Sequence, residues 1–513
     1  MKKLIKILCL TLATLMLVLP LTACKSSSSV TTESSFSVFE GDDVEVNTDE
    51  DVAVEENDGE EAENKGDKTE NKKPTTNKNN TNKNNTNKNN KTDKAESKGD
   101  YSDLDLKGET LRLASIWPHG PGKAGTSTAN TLRQKRVKEL EKKYNCKIDF
   151  MVYTAGDATE RLRTSVAAGK PFVDLYTIYT SQLPSYAFNG YLQNLDEIKT
   201  IDIKDPKWVS GHVDNGAFNG GHYAFSYENS SQPRFCLVFN KTLFKKQGWT
   251  LPYDLYKQDK WTWEECLKLA QKATDYTVER YGLGGMEYAS SSILASFGGE
   301  VIKTNAKGAP TFVGDSEACK LANEFQQELK TKYKDYIWSP ETTTWTTGLL
   351  GVRDGRVAMT ITQLYMVREN ILDMEEDYGI VPVPKATNKD GTYCSIQEDV
   401  PTTVMLANNP LAQEKGYILD QYNQPYKGYD QIIARQEMES YCRDNESVEC
   451  LLDLMNNYGK FNRAVWFKEA YDEYSKALGE VNGGKATFKE AMGKHKNSIV
   501  KKMNDTYKSW NEK

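Results

Sequence analysis

Four histidines make up the whole imidazole supply of this chain: His119, His212, His222 and His495. None stands in a His-Glu-x-x-His unit, which would set two zinc ligands and a general base on one helical face. No Gly-x-Ser-x-Gly turn offers a serine nucleophile. His212 and His222 flank Gly216, Gly220 and Gly221 and read as parts of a loop. Glycosidic hydrolysis needs two carboxylates on opposite sides of one bond, but 73 Asp and Glu residues are too many for spacing to single out a pair. A Walker A loop is absent, so any nucleotide-driven step belongs to another polypeptide. The expectation is a non-enzymatic chain with no catalytic residue, no cofactor and no metal site, in which rings and polar side chains bind rather than react.

One thiol is placed for covalent chemistry. Lys2, Lys3 and Lys6 precede an apolar run over residues 8–19, which ends in Leu21, Thr22, Ala23 and Cys24 before Lys25 and four serines. A positive start, a short apolar segment and a small-residue cleavage site form an export signal, and the run is too short to span a bilayer. The stretch resembles a bacterial lipoprotein signal, in which the cysteine becomes the lipidated first residue of the mature chain. Acyl chains gain about 0.8 kcal/mol per buried CH2, so Cys24 would tether the protein to the outer face of the cell membrane. An ordinary secretory signal is the alternative. Residues 1–23 are therefore read as a signal peptide.

Residues 24–107 read as a lipidated N-terminus and disordered linker. Residues 40–63 are acidic without a Lys or Arg, and residues 75–91 repeat Asn, Lys and Thr. Such a composition buries too little apolar surface to offset chain entropy. From residue 108 to 513 the composition turns globular, and about 400 residues usually exceed one hydrophobic unit. Beyond Cys9 and Cys24, the cysteines Cys146, Cys236, Cys266, Cys319, Cys394, Cys442 and Cys450 are scattered and odd in number, unlike a disulfide framework. Cys442 and Cys450 could pair across a turn or remain single. A net charge of −7 without a basic, aromatic-interleaved stripe argues against nucleic acid.

The globular part must supply elements that aim side chains. Residues 110–117 read as a strand through Leu111, Leu113 and Ile116, ended by Pro118 and Gly120. Leu132, Val137, Leu140 and Tyr144 have helical spacing over 131–144, and 147–153 is again a strand. Residues 157–168 form an amphipathic helix closed by Gly169 and Pro171, and 173–178 are apolar enough for a buried parallel strand. Right-handed crossovers align the strand ends near Trp117, Tyr153 and Tyr179 along one edge, where open α/β sheets bind ligands. Asn240 and Thr262 read as helix caps, the latter three residues before Glu265.

Six segments then fall in one order: 167–176 (AAGKPFVDLY), 190–195 (GYLQNL), 237–244 (LVFNKTLF), 261–265 (WTWEE), 355–360 (GRVAMT) and 378–384 (YGIVPVP). Together they resemble the family 1 extracellular solute-binding proteins of ABC importers, over residue 108 to the C-terminus. The resemblance implies an α/β, two-lobe periplasmic-binding-protein-like fold of type II, with hinge crossovers and an interlobe cleft. Lobe one would hold about 108–233 and 397–425, and lobe two about 234–396 and 426–513. The first crossing would lie near Phe235 and the second over 396–403.

Capture of a small polar solute follows from the resemblance, an oligosaccharide or sugar derivative before a peptide or polyol. Delivery would go to the transmembrane subunits of an ABC permease with a separate ATPase, the binding protein acting as a monomer. Trp117 follows the first strand. Tyr179 and Ser181 match where the family often places a ligand-facing ring and its polar partner, and Tyr365 stands at the spacing where sugar-binding relatives carry a stacking Trp. Tyr227 and Glu228 precede the first crossing, Trp345 lies in a polar run, and Asp399 stands at the second crossing as a hydroxyl acceptor. A surface hydrolase or lyase and a wall-associated scaffold are the competing readings.

Overall fold

The computed structural model describes residues 101–511 apart from 154, 209, 226–232, 287–288, 394, 398, 400 and 457. The expectations for the leader, Cys24, most of the linker, Tyr227 and Glu228 lie outside the described residues.

Leu111, Leu113 and Ala114 are buried in the opening strand, Thr110–Ser115, which pairs in parallel with Lys147–Val152 and with Leu175–Tyr179. Pro401–Met405 adds antiparallel to Leu175–Tyr179, and Ala224–Phe225 closes a five-stranded sheet. The first strand stops two residues short of Trp117, whose N–H turns to the Ser115 hydroxyl at 3.3 Å. The first helix, Thr128–Tyr144, starts earlier than the apolar spacing alone suggests because Ser127 caps it, accepting from the Asn130 N–H. The third strand runs Leu175–Tyr179, and Asp174 just before it already shares the ladder, its N–H donating to the Arg112 carbonyl and its carbonyl accepting from the Leu406 N–H, each at 3.0 Å. Its buried carboxylate accepts from the Arg112 N–H at 2.7 Å, from Asn409 Nδ2 at 2.6 Å and from Lys415 Nζ at 2.7 Å. A buried charge is tolerated only when so paired, which explains the Asp in the 167–176 segment.

The second sheet is built on Phe235–Asn240, all six residues of which are buried. Tyr378–Val381 and Val357–Gln363 flank it antiparallel, and Tyr281–Gly284 runs parallel to Val357–Gln363 at the outer edge. Asn240 accepts from the Leu243 N–H at 2.8 Å and starts the helix Lys241–Lys246. Thr262 accepts from the Glu265 N–H and starts Trp263–Ala273. Gly379 has a steric reason: a Cβ there would lie 2.1 Å from Tyr253 Oη.

Both sheets belong to one compact unit. The chain passes from the first sheet at Phe225 to the second at Phe235, and returns between Ser395–Gln397 and Pro401. One apolar cluster serves the first sheet through Leu113, Leu175, Met405 and Ile418; another serves the second through Val238, Ile380 and Leu451. A third holds residues of both. It includes Phe218, whose ring stands 5.8 Å from Trp466 and 5.2 Å from Trp510, so the turn Arg463–Phe467 and the last helix, Phe488–Asn511, pack on it.

Cys442 and Cys450 are not bonded; both are free thiols, as are Cys146, Cys236, Cys266 and Cys319. Among the described residues no helix is long and apolar enough to cross a membrane.

Candidate ligand-binding site

Parallel register carries Ser115 and Tyr179 to the same edge of the first sheet, and antiparallel pairing sets Pro401 opposite Tyr179. Trp117 is 45% exposed there, its ring 6.0 Å from that of Tyr179 at 82°. An edge-to-face pair of this kind rests the edge of one ring on the face of the other and holds both in place. After Tyr179 the chain makes one tight turn, Thr180–Gln182, and the Tyr179 N–H donates to Gln182 Oε1 at 3.0 Å.

Asp399 binds that turn. One carboxylate oxygen accepts from the Ser181 N–H at 2.8 Å and the other from the Ser181 hydroxyl at 2.8 Å, with Thr180 Oγ1 at 3.4 Å. The two sequence candidates Ser181 and Asp399 therefore meet each other, and Asp399 spends its oxygens on the protein. Trp466 Nε1 adds a bond to the Thr180 carbonyl at 3.0 Å.

The facing edge belongs to the second sheet. Gln363 pairs with Phe235, the Leu364 N–H donates to the Arg234 carbonyl at 2.9 Å, and Tyr365 emerges in the first turn of Leu364–Asn370, 41% exposed. Burial pushes the Tyr365 phenol above its ordinary range, Glu369 adds to the rise, Arg234 opposes it, and Tyr179 contributes as well. Trp117 and Tyr179 thus stand at strand ends of the first sheet and Tyr365 at a strand end of the second, with Arg234 bound to the start of the Tyr365 helix. Arg234 Nε is buried without a hydrogen-bond partner among the described residues.

Trp345 is 53% exposed and stands two residues after Thr343, which lines a separate cavity of about 740 Å³ at the outer edge of the second sheet. The rings of the facing edges do not line that cavity. Arg234 was missed in the sequence because one arginine before an apolar strand carries no periodic signal. Its position at the start of the Phe235 strand, next to the expected crossing, was the available cue.

The arrangement suits binding rather than bond cleavage. His119, the imidazole nearest in sequence to Trp117, is held between the carbonyls of Trp117 and Leu113, each at 3.2 Å. His222 pairs with Asp196, and His495 with Glu473 and Glu480. Among the described residues no group of three or more His, Cys, Asp or Glu side chains is placed to hold a metal ion.

Residues 124–411 match the family model described as bacterial extracellular solute-binding protein. Among solved structures, the sugar-binding protein MalE from Xanthomonas citri superposes with a TM-score of 0.57 at 15% identity, covering 79% of this chain and 100% of that one. The maltose-binding periplasmic protein MalE from Listeria monocytogenes, in complex with maltose, gives 0.54 at 13% identity, over 78% and 98%. An ABC substrate-binding protein from Listeria monocytogenes in complex with cycloalternan gives 0.52 at 16% identity, over 77% and 99%. At these identities the likeness is one of fold. The comparison with curated proteins gave no match.

Proposed function

We propose, since the chain belongs to the bacterial extracellular solute-binding proteins, that it captures a sugar or oligosaccharide outside the cytoplasm and delivers it to an ABC permease. The family binds solutes and does no chemistry on them, in keeping with histidines spent on carbonyls and carboxylates. The single observation behind the choice of ligand is the trio Trp117, Tyr179 and Tyr365: rings at strand ends of the two sheets, of which Trp117 and Tyr365 are exposed. A pyranose has apolar C–H faces and a hydroxyl rim, so it stacks on such rings and hydrogen-bonds at their margins. The solved relatives described with maltose and with cycloalternan support the same ligand class.

In this reading the two sheets are the cores of two lobes, about 108–233 with 397–425 and about 234–396 with 426–513, hinged where the chain passes between them. Ligand bound more tightly in the closed form shifts the population toward closure. Asp399 would set the position of the Tyr179 edge, and Arg234 would supply a donor to the guest. Tyr227, Glu228 and Trp345 remain candidates for further contacts. The body acts as a monomer, anchored through an acylated Cys24, and a separate ATPase powers import.

Thermal unfolding against a carbohydrate panel tests the proposal. A true ligand at about one hundred times its Kd adds about 2.7 kcal/mol of stability. A panel in which no saccharide raises the unfolding temperature would refute a carbohydrate ligand.

A further inference from the structure

We infer that the cavity at the outer edge of the second sheet is a second saccharide subsite, holding the far end of a glycan chain whose near end lies among Trp117, Tyr179 and Tyr365. The inference rests on the carbohydrate reading of the site between the sheets, and extends it to chain length.

The cavity measures about 740 Å³, within the roughly 300–1,000 Å³ of small-molecule sites. It follows the edge strand Tyr281–Gly284 from end to end, since Tyr281 and Met286 both line it. The Met286 end reaches the edge that carries Tyr365, because Tyr281–Gly284 runs parallel to Val357–Gln363 and the two strands are neighbours. A glycan seated on Tyr365 would enter the groove at its Met286 end, one strand away.

The walls are aromatic and fixed. The Trp338 backbone N–H donates to the Leu283 carbonyl at 2.8 Å, and the Trp338 ring sits so close to Gly351 that a Cβ there would be 2.6 Å from Cζ3. Tyr276, 59% exposed, stands edge-to-face with Tyr281 at 5.8 Å and donates its hydroxyl to the Asp335 carbonyl. These bonds set the rings before any ligand arrives, so little ordering entropy remains to be lost.

Between the rings stand polar groups with unspent capacity. The Gln326 amide lines the cavity, as do the Lys330 ammonium and the Ser290 hydroxyl, and none of these side chains has a hydrogen-bond or ion-pair partner among the described residues. Aromatic rings and free donors and acceptors in one lining match a glycan chain, which presents C–H faces and hydroxyls in turn. A purely apolar guest would leave these polar groups desolvated and unpaired.

The test uses the mature protein labelled at methionine methyl groups, with the Met286 resonance assigned through Met286→Leu. The probes are disaccharides and hexasaccharides of α-1,4-glucan, β-1,4-glucan and β-1,4-xylan. A hexasaccharide should shift the Met286 methyl where its disaccharide does not, and Tyr276→Ala should abolish that shift and weaken hexasaccharide binding about fivefold, as loss of one stacking face does. Disaccharide affinity should be unchanged in Tyr276→Ala and reduced in Tyr365→Ala. A Met286 methyl that responds to none of the hexasaccharides, or a shift that survives Tyr276→Ala, overturns the groove. If disaccharides bind and Tyr365→Ala weakens them while Met286 stays silent, the site between the sheets stands and the groove alone falls.

Discussion

Asp399 is bound to Ser181 through both carboxylate oxygens, to its N–H and to its hydroxyl, each at 2.8 Å. The residue two places before the returning strand Pro401–Met405 is thereby tied to the turn that follows the strand Leu175–Tyr179. A side chain that sequence position suggests for the ligand also fixes the frame on which Tyr179 stands.

Asp399→Ala should leave the Ser181 donors without an acceptor and lower stability by about 1.5 kcal/mol, the lower end for hydrogen bonds to a charged group because the site is only part-buried. Urea unfolding reads this as a lower midpoint at unchanged slope. Asp399→Asn, which keeps one acceptor oxygen, should fall between. An unchanged midpoint in the alanine variant would deny the carboxylate its positioning role.

Tyr365→Ala should weaken ligand binding by more than about tenfold, or about 1.4 kcal/mol, with a nearly unchanged urea midpoint because the ring is largely outside the core. Tyr365→Phe keeps the stacking face and should retain most of the affinity. Titration calorimetry with the tightest saccharide of the panel decides it; full affinity in the alanine variant removes Tyr365 from the site.

The last two helices should hold together in a pH-dependent way. Glu473 accepts from Lys502 Nζ and lies 2.8 Å from His495 Nδ1, and these two partners hold its carboxyl down to about 2 from an ordinary 4.5. A carboxylate depressed in the folded state adds stability that is complete above its unfolded value and is lost as pH falls through the folded one. The destabilisation by Glu473→Gln should therefore be full at pH 7 and shrink as pH is lowered from about 4.5 toward about 2. A difference independent of pH over that window would show that the charge does not contribute.

Cys24→Ala should release the protein from the membrane fraction into the soluble one if the cysteine carries the anchor. Cell fractionation reads this directly, and retention of the variant on the membrane would exclude Cys24 as its attachment.

Local patterns were legible where a residue acts on its own neighbours. The caps at Asn240 and Thr262, the strand over 235–240 and the alternation of strand and helix from residue 110 follow from spacing and side-chain chemistry within a few positions. The ends of elements were less legible. Ser127 extends a helix that apolar spacing begins at residue 131, because one cap decides that terminus.

Sequence alone determined that the body is α/β and gave the expectation of an export-type leader and a polar linker before it, since composition and periodicity report how much apolar surface a segment can bury and in which direction. Only the tertiary structure decided which polar residues are spent. Ser181 and Asp399 are 218 positions apart and consume each other, Asp174 is consumed by Lys415, and Arg234 is left with a donor in reserve. Hydrogen-bond partnership depends on distances of a few ångströms between segments far apart in the chain, and those distances exist only after the two sheets have been assembled.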